Sequence, residues 1–339
     1  MPIFMIGTQR SGSNLLRLML NQLPDVAAPH PPHILQRMMP LLPRYGDLSE
    51  DANFAQLVED VCRLVKLNPV PWEDVRLDRS DISARCRQRS LVAVFCAVYE
   101  AYADAHGRSD WCCKSLANIA YLDEIENYVP DARYIYLYRD GRDVAVSFRK
   151  AVVGEKHFYH IAKEWAGTQE LAIAHRERIA PDRFFSLSYE ALTSESEATV
   201  RRLCKFLGVE YTEAMLEFHK SEDAAKASAS SELWRNVANP VMRDNSRKFL
   251  KEASIDDVRI FEAIAGHVLD TLGYERSYLP KGREMSFSES DLDRFNRENQ
   301  ELKRKTMASV DPEDLKRRNM QDDLLAQIKS RSPEAATSA

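Results

Sequence analysis

The chain has 339 residues, 44% hydrophobic and 29% charged, which is enough apolar material for one substantial core or two modest ones in a soluble globular protein. A net charge of −5 without a basic domain argues against nucleic acid as the main partner, so any phosphate site has to be local. The six cysteines fit no zinc spacing and read as reduced, small core residues, and no apolar run approaches the roughly 20 residues of a membrane helix.

The first predicted strand, Ile3-Phe4-Met5-Ile6, begins almost at Met1, leaves no room for a signal peptide and makes a cytoplasmic protein the expectation. It runs into Gly7-Thr8-Gln9-Arg10-Ser11-Gly12-Ser13-Asn14, after which Leu15, Leu16, Met19, Leu20 and Leu23 recur at helical spacing up to Pro24. Two glycines five apart let backbone N–H groups turn inward while the helix aims its positive end at the same point, so this loop is built for an anion. A nucleotide P-loop would carry lysine where Ser13 stands and a hydroxyl where Asn14 stands, which disfavours ATP or GTP hydrolysis; Arg10 supplies a fixed cation instead.

Thr8-x-Arg10-Ser11-Gly12-Ser13-Asn14-Leu15-Leu16 resembles the 5′-phosphosulfate loop of sulfotransferases, which use 3′-phosphoadenosine 5′-phosphosulfate (PAPS). Its Arg-Ser-Gly form is closer to bacterial and tyrosylprotein sulfotransferases than to the cytosolic Lys-Ser-Gly type. The resemblance implies that Arg10, Ser11, Gly12, Ser13 and Asn14 bind the donor, with Arg10 also acting on the transferring group.

Next comes Val26-Ala27-Ala28-Pro29-His30-Pro31-Pro32-His33-Ile34-Leu35, a proline-stiffened loop that stays out of a helix until about Ile34. Tyrosylprotein sulfotransferases place a glutamate base in this segment, but here there is none between Asp25 and Leu48. A neutral imidazole has to serve, His33 first because Pro-Pro-His resembles the Pro-Pro-Glu of some bacterial members, and His30 second. Helical patterns over residues 54–67 and 82–105 suggest a helical insertion at about 48–106, with Trp72 between them either packed as core, the preferred reading, or lining an acceptor pocket.

A lysine, Lys114, follows the strand-like Trp111-Cys112-Cys113, and the resemblance makes it a stabiliser of the transferring group. The cytosolic base histidine, two residues further on, is replaced by Leu116. The aromatic strand Arg133-Tyr134-Ile135-Tyr136-Leu137-Tyr138 then runs into Arg139-Asp140-Gly141-Arg142-Asp143. Sulfotransferases bind the 3′-phosphate with an arginine at the strand end and a serine eight residues later, a spacing that Arg139 and Ser147 satisfy. The two could share one phosphate if the helix began near Val144, leaving Asp140 or Asp143 as caps and Arg142 facing water.

Downstream, His157, Phe158 and His160 precede a long helix and could border the acceptor. Tyr189, in Tyr-Glu-x-Leu, resembles the family tyrosine near the nucleotide. In the basic stretch 234–249, Lys248 before Phe249 resembles the family's C-terminal cofactor loop, with Asn245, Arg243 and Ser246 as helpers. A helix around 258–272 resembles the end of the catalytic domain, so the expected organisation is a sulfotransferase domain at 1–280 and an extension at 281–339. That extension holds charge-rich helical segments with sparse apolar positions at Leu292, Phe295, Leu302, Leu315, Leu324 and Ile328, then a small-polar tail. It could dock on the domain, move freely, or pair with a second copy of the chain as a homo-oligomer.

The alternation of strands and helices predicts an α/β, P-loop-like three-layer fold with a mainly parallel sheet and ligands at the carboxyl ends of its strands. The expected activity is PAPS-dependent transfer of a sulfuryl group to a hydroxyl or amine of a small-molecule, lipid or carbohydrate acceptor, without a metal. A P-loop kinase-like phosphotransferase and a non-catalytic nucleotide-binding scaffold are the competing readings.

Overall fold

The computed structural model describes residues 1–72, 75–230, 232–283, 285–308, 310 and 312–331. Five strands, β1 (Pro2–Gly7), β2 (Val26–Ala27), β3 (Asp110–Cys113), β4 (Arg133–Tyr138) and β5 (Phe184–Ser188), form one sheet in the order β2-β3-β1-β4-β5. All four pairings are parallel, with Ile3 beside Cys112 on one side and Arg133 on the other. The sheet is therefore wholly parallel, and its order reverses at β1. The crevice beyond the carboxyl end of β1 is where such a fold places ligands.

Among the described residues there are fifteen α-helices, in chain order. They are α1 (Ser13–Leu20), α2 (Ile34–Met38), α3 (Asp51–Lys66), α4 (Arg79–Arg85), α5 (Leu91–Ala105), α6 (Leu122–Tyr128), α7 (Gly141–Lys150) and α8 (Phe158–Arg178), then α9 (Tyr189–Ser194), α10 (Ser196–Leu207), α11 (Glu222–Ser230), α12 (Phe249–Glu252), α13 (Ile255–Thr271), α14 (Glu289–Ala308) and α15 (Pro312–Lys329). Side chains alternate across the sheet with the period of two that a pleated strand imposes. Phe4, Ile6, Trp111, Cys113, Tyr134 and Tyr136 face a core built with α3 and α5, where Phe4 stacks with Phe95 at 5.7 Å. Ile3, Met5, Cys112, Ile135, Leu137 and Leu187 face a second core with α1 and α10. A third cluster joins α7, α8 and α13 around Trp165 and Phe261.

Three expectations change. The pattern over 82–105 is two helices, because the polar run Cys86-Arg87-Gln88-Arg89 breaks it and Ser90 caps α5 by accepting from the Ala93 N–H at 3.2 Å. Val26 and Ala27, read as loop, form a two-residue edge strand on β3. Helix α7 starts at Gly141 rather than near Val144, since Asp140 caps it through the Arg142 N–H at 3.0 Å.

Trp72 packs as expected, edge-on to Tyr99 and Tyr102. All six cysteines are free. In the C-terminal segment Phe295, Leu324 and Ile328 are buried against the chain's own body; the side chain of Leu315 and the tail at 332–339 lie outside the described residues. No described helix is long and apolar enough to cross a membrane.

Candidate active site

The first loop is shaped by two glycines. Gly7 has φ +134°, and a Cβ there would stand 2.2 Å from the Leu137 carbonyl oxygen, so only glycine lets the chain leave β1 so close to β4. Gly12 has φ +88°, and its Cβ would meet the Tyr189 ring at 2.4 Å. Arg10 is held in the left-handed region without that freedom (φ +69°), as is His33 (φ +57°) at the other end of the cleft. Such strain persists where surrounding structure holds it, and it concentrates at functional sites. No side chain caps α1 at Gly12, so the N–H groups at its start remain available to a ligand. The Ser11 hydroxyl is buried with no hydrogen-bond partner among the described residues.

The second loop meets the first directly. Arg10 Nε donates to Ser147 Oγ at 3.0 Å, and Arg139 Nη1 donates to the Arg10 carbonyl at 3.1 Å. Arg139 Nη2 donates to the Asn245 carbonyl at 2.5 Å, its guanidinium lies 4.3 Å from the centre of the Tyr189 ring, and Asn245 Nδ2 donates to the Tyr189 hydroxyl at 2.6 Å. Arg139 and Ser147 thus both meet Arg10, on a helix that starts at Gly141 rather than near Val144. Burial first, then the Arg139 charge, lowers the pKa of Arg10 to about 10. Packed cations of this kind call for an anion.

Arg142, expected to face water, is buried. It pairs with Asp140 at 2.7 Å and Glu262 at 2.6 Å and lies 4.2 Å from the Phe249 ring centre. The carboxylate of Asp143 accepts from the backbone N–H of Arg247 at 2.7 Å and of Phe249 at 3.0 Å. Lys248 sits between those two anchored residues, and its side chain lines the cleft. Arg243 and Ser246, the other expected helpers, are not among its lining residues.

On the other side of the cleft Lys114, carried out of the sheet by β3, donates to Asn14 Oδ1 at 2.8 Å and stands 5.9 Å from the centre of the Trp234 ring. Its pKa is pushed down to about 7, by burial first and then by Arg17 and Arg10. His33 Nδ1 shares a 2.8 Å hydrogen bond with the Ser115 hydroxyl. Burial, then the charges of Lys114 and Arg37, lower its pKa to about 3, so the imidazole is neutral at physiological pH. His30 is buried with its ring 4.6 Å from Trp234, and its carbonyl accepts from Trp72 Nε1 at 2.7 Å.

His157, Phe158 and His160 do not line the cleft; His157 instead stacks on Phe295 of α14 at 4.5 Å. Ser115, Trp234 and Arg17 complete the site without having been singled out in the sequence. Ser115 had one signal, its place beside Lys114. Arg17 had another, a lone cation inside an apolar helical run; it is buried, paired with Asp223 at 2.8 Å and bonded to the Ala28 carbonyl at 2.9 Å.

The loops border one cleft of about 1610 Å³. That exceeds the roughly 300–1,000 Å³ of a pocket for one small ligand and gives room for a donor and an acceptor together. Arg10, Gly12, Ser13, Asn14, Arg139, Ser147, Tyr189, Asn245 and Lys248 line it together with His30, His33 and Lys114; Ser11 is fully buried and not among the lining residues.

The chain is 24% identical over 283 residues to a protein-tyrosine sulfotransferase of Drosophila melanogaster, covering 80% of itself and 51% of that protein. It is 22% identical to protein-tyrosine sulfotransferase A of Caenorhabditis elegans, covering 82% of itself and 68% of the relative. It therefore spans about half the length of the fly protein. Among solved structures, the sulfotransferase domain of the curacin biosynthetic pathway superimposes with a TM-score of 0.57 at 20% identity, over 82% of this chain and 99% of that one. The sulfotransferase domain of the Synechococcus PCC 7002 olefin synthase gives a TM-score of 0.54 at 19% identity, over 81% and 94%. These two likenesses show the same fold. Residues 2–213, more than half of the chain, match the family described as the sulfotransferase family, and the chain belongs to that family of enzymes.

Proposed function

We propose that this protein transfers the sulfuryl group of PAPS to a hydroxyl or amine of a small-molecule, lipid or carbohydrate acceptor. The observation that carries the reading is the contact between the two anion loops, Arg10 Nε to Ser147 Oγ at 3.0 Å, which makes one site of two distant sequence motifs. The residues fit the donor. Ser11 offers a buried hydroxyl without a partner among the described residues, the start of α1 offers N–H groups, and Arg10, Lys114, Arg139 and Lys248 are among the cations that line the cleft.

In this reading Arg10, Ser11, Gly12, Ser13 and Asn14 hold the 5′-phosphosulfate. Arg139, Ser147 and Lys248 hold the 3′-phosphate, backed by Tyr189 and Asn245. Bound PAPS supplies an activated sulfuryl group, whose bond to the 5′-phosphate breaks as the acceptor atom takes it. His33, neutral and oriented by Ser115, accepts the proton of the acceptor; His30 is the second candidate for that task. Lys114 and Arg10 place positive charge where negative charge accumulates, in a buried setting where such stabilisation is strong.

Isothermal titration with adenosine 3′,5′-bisphosphate and with ATP separates this from a kinase: tight ATP binding without affinity for the bisphosphate would overturn it. Transfer of labelled sulfate in a cell extract, lost in Arg139→Ala and Lys248→Ala, separates it from a non-catalytic scaffold.

A further inference from the structure

The cleft is walled in part by the C-terminal segment. Thr306, Val310, Gln321 and Asp322 line the same cavity as Lys114 and His33. Both of its helices are built into the domain, each beside a different flank of the cleft. On the α7 side, Asn299 of α14 is buried and its Oδ1 accepts from the backbone N–H of Lys156 at 2.8 Å and of His157 at 3.0 Å. Lys303 pairs with Glu155 at 2.6 Å, and Phe295 fills the space over His157 and Tyr159. These contacts pin the stretch after α7, whose Val152, Val153 and Gly154 line the cleft.

On the α2 and α3 side, Gln321 of α15 is buried and donates to the Leu64 carbonyl at 2.8 Å, while Leu324 and Ile328 join the core there. Arg37, one turn after His33, donates to Asp322 at 3.0 Å. Arg331 pairs with Asp60, a fully buried carboxylate that also accepts from the Tyr45 hydroxyl at 2.9 Å. A buried amide or carboxylate left without its partner is strongly disfavoured, so these contacts fix the two helices in place rather than brush the surface.

We propose that helices α14 and α15 form the acceptor-side wall of the cleft and select acceptors that enter end-on, either a small molecule or the terminal group of a longer one. The inference rests on the transferase reading above and narrows its acceptor. An internal residue of a folded polypeptide has to be laid across an open groove, and here α14 and α15 are anchored to both of the flanks that such a groove would need free. The wall is polar on its cleft side, with Thr306, Gln321, Asp322 and the nearby Arg37, so an acceptor carrying several hydroxyl or amine groups suits it better than an all-apolar one.

The test places bulk on the wall. Val310→Cys is made in the full chain and treated with thiol reagents of increasing size, the treated wild type serving as control for its own cysteines. Adenosine 3′,5′-bisphosphate affinity is measured by calorimetry, and labelled sulfate transfer is followed in a cell extract with the products sized. Transfer by the untreated protein should go into products below a few kilodaltons or onto chain ends. The bulky adduct should lower it more than tenfold while the bisphosphate Kd stays within twofold. Undiminished transfer by the bulky adduct, parallel loss of bisphosphate affinity, or label on internal tyrosines of intact proteins would each overturn the inference while leaving the transferase reading standing. A wild type that neither binds bisphosphate nor transfers sulfate would remove the transferase reading itself.

Discussion

Lys114 couples donor affinity to pH. Burial, then Arg17 and Arg10, bring its pKa down to about 7, so only half of the unliganded molecules carry the charge at neutrality. A phosphosulfate seated against Lys114 favours the ammonium, so binding above pH 7 has to take up a proton. The sign follows: the bound state holds more protons than the free state, and affinity falls as pH rises. If the bound pKa lies well above 9, the Kd of adenosine 3′,5′-bisphosphate rises by a factor approaching ~50 between pH 7 and pH 9. A rise of two pH units in the pKa corresponds to about 2.7 kcal/mol, the scale of one buried charge-assisted hydrogen bond. Phosphate groups, with a second pKa near 6, are almost fully ionised across this window and add little slope of their own. Calorimetric titrations in buffers of different ionisation heat read the proton uptake directly, and Lys114→Met should abolish most of it. A flat Kd in the wild type from pH 7 to 9, or an unchanged slope in Lys114→Met, would refute the reasoning.

Ser147→Ala removes the partner of Arg10 and, with it, a proposed phosphate ligand, and should raise the bisphosphate Kd by roughly 10- to 150-fold, the ~1.5–3 kcal/mol of a hydrogen bond to a charged group. His33→Ala should lower kcat by about 10²–10⁴ with the bisphosphate Kd unchanged, and His30→Ala should cost less; equal kcat in His33→Ala and wild type would take the base role from it. Ser115→Ala frees the imidazole and should cost kcat about tenfold, the ~1–1.5 kcal/mol of one oriented hydrogen bond, without changing donor affinity. Gly12→Ala puts a methyl into the Tyr189 ring at a backbone angle that suits glycine, so thermal melting should drop and bisphosphate affinity fall at least tenfold, with ~1–3 kcal/mol of strain. Unaltered melting would mean that Tyr189 moves aside freely.

The parts of the site that could be read from the chain are those in which local chemistry and function coincide. Glycines at 7 and 12, the strand-to-helix junctions and Lys114 at the end of a strand each carry their meaning within a dozen residues. The bond from Arg10 to Ser147 links positions 137 apart, and the spacing of Arg139 and Ser147 did not reveal that Arg10 stands between them. Arg142 looked solvated because its partner Glu262 is 120 residues away. His157 and His160 read as possible neighbours of the acceptor, yet the space over His157 is filled by Phe295 of a helix whose composition gave little sign of docking. Helices α14 and α15 are charge-rich, and much of their attachment runs through Asn299, Gln321 and Arg331, polar side chains that hydropathy counts as surface. A periodicity of apolar residues cannot register such anchors, because a buried amide satisfied by backbone is invisible until the backbone is in place.

A crystal structure with adenosine 3′,5′-bisphosphate tests most directly whether the two loops serve one donor. A single molecule should span the cleft, with its 5′-phosphate on the backbone of residues 10–14 and its 3′-phosphate on Ser147 and Arg139. Both phosphates on one loop, or a ligand bound away from Ser147, would contradict the account.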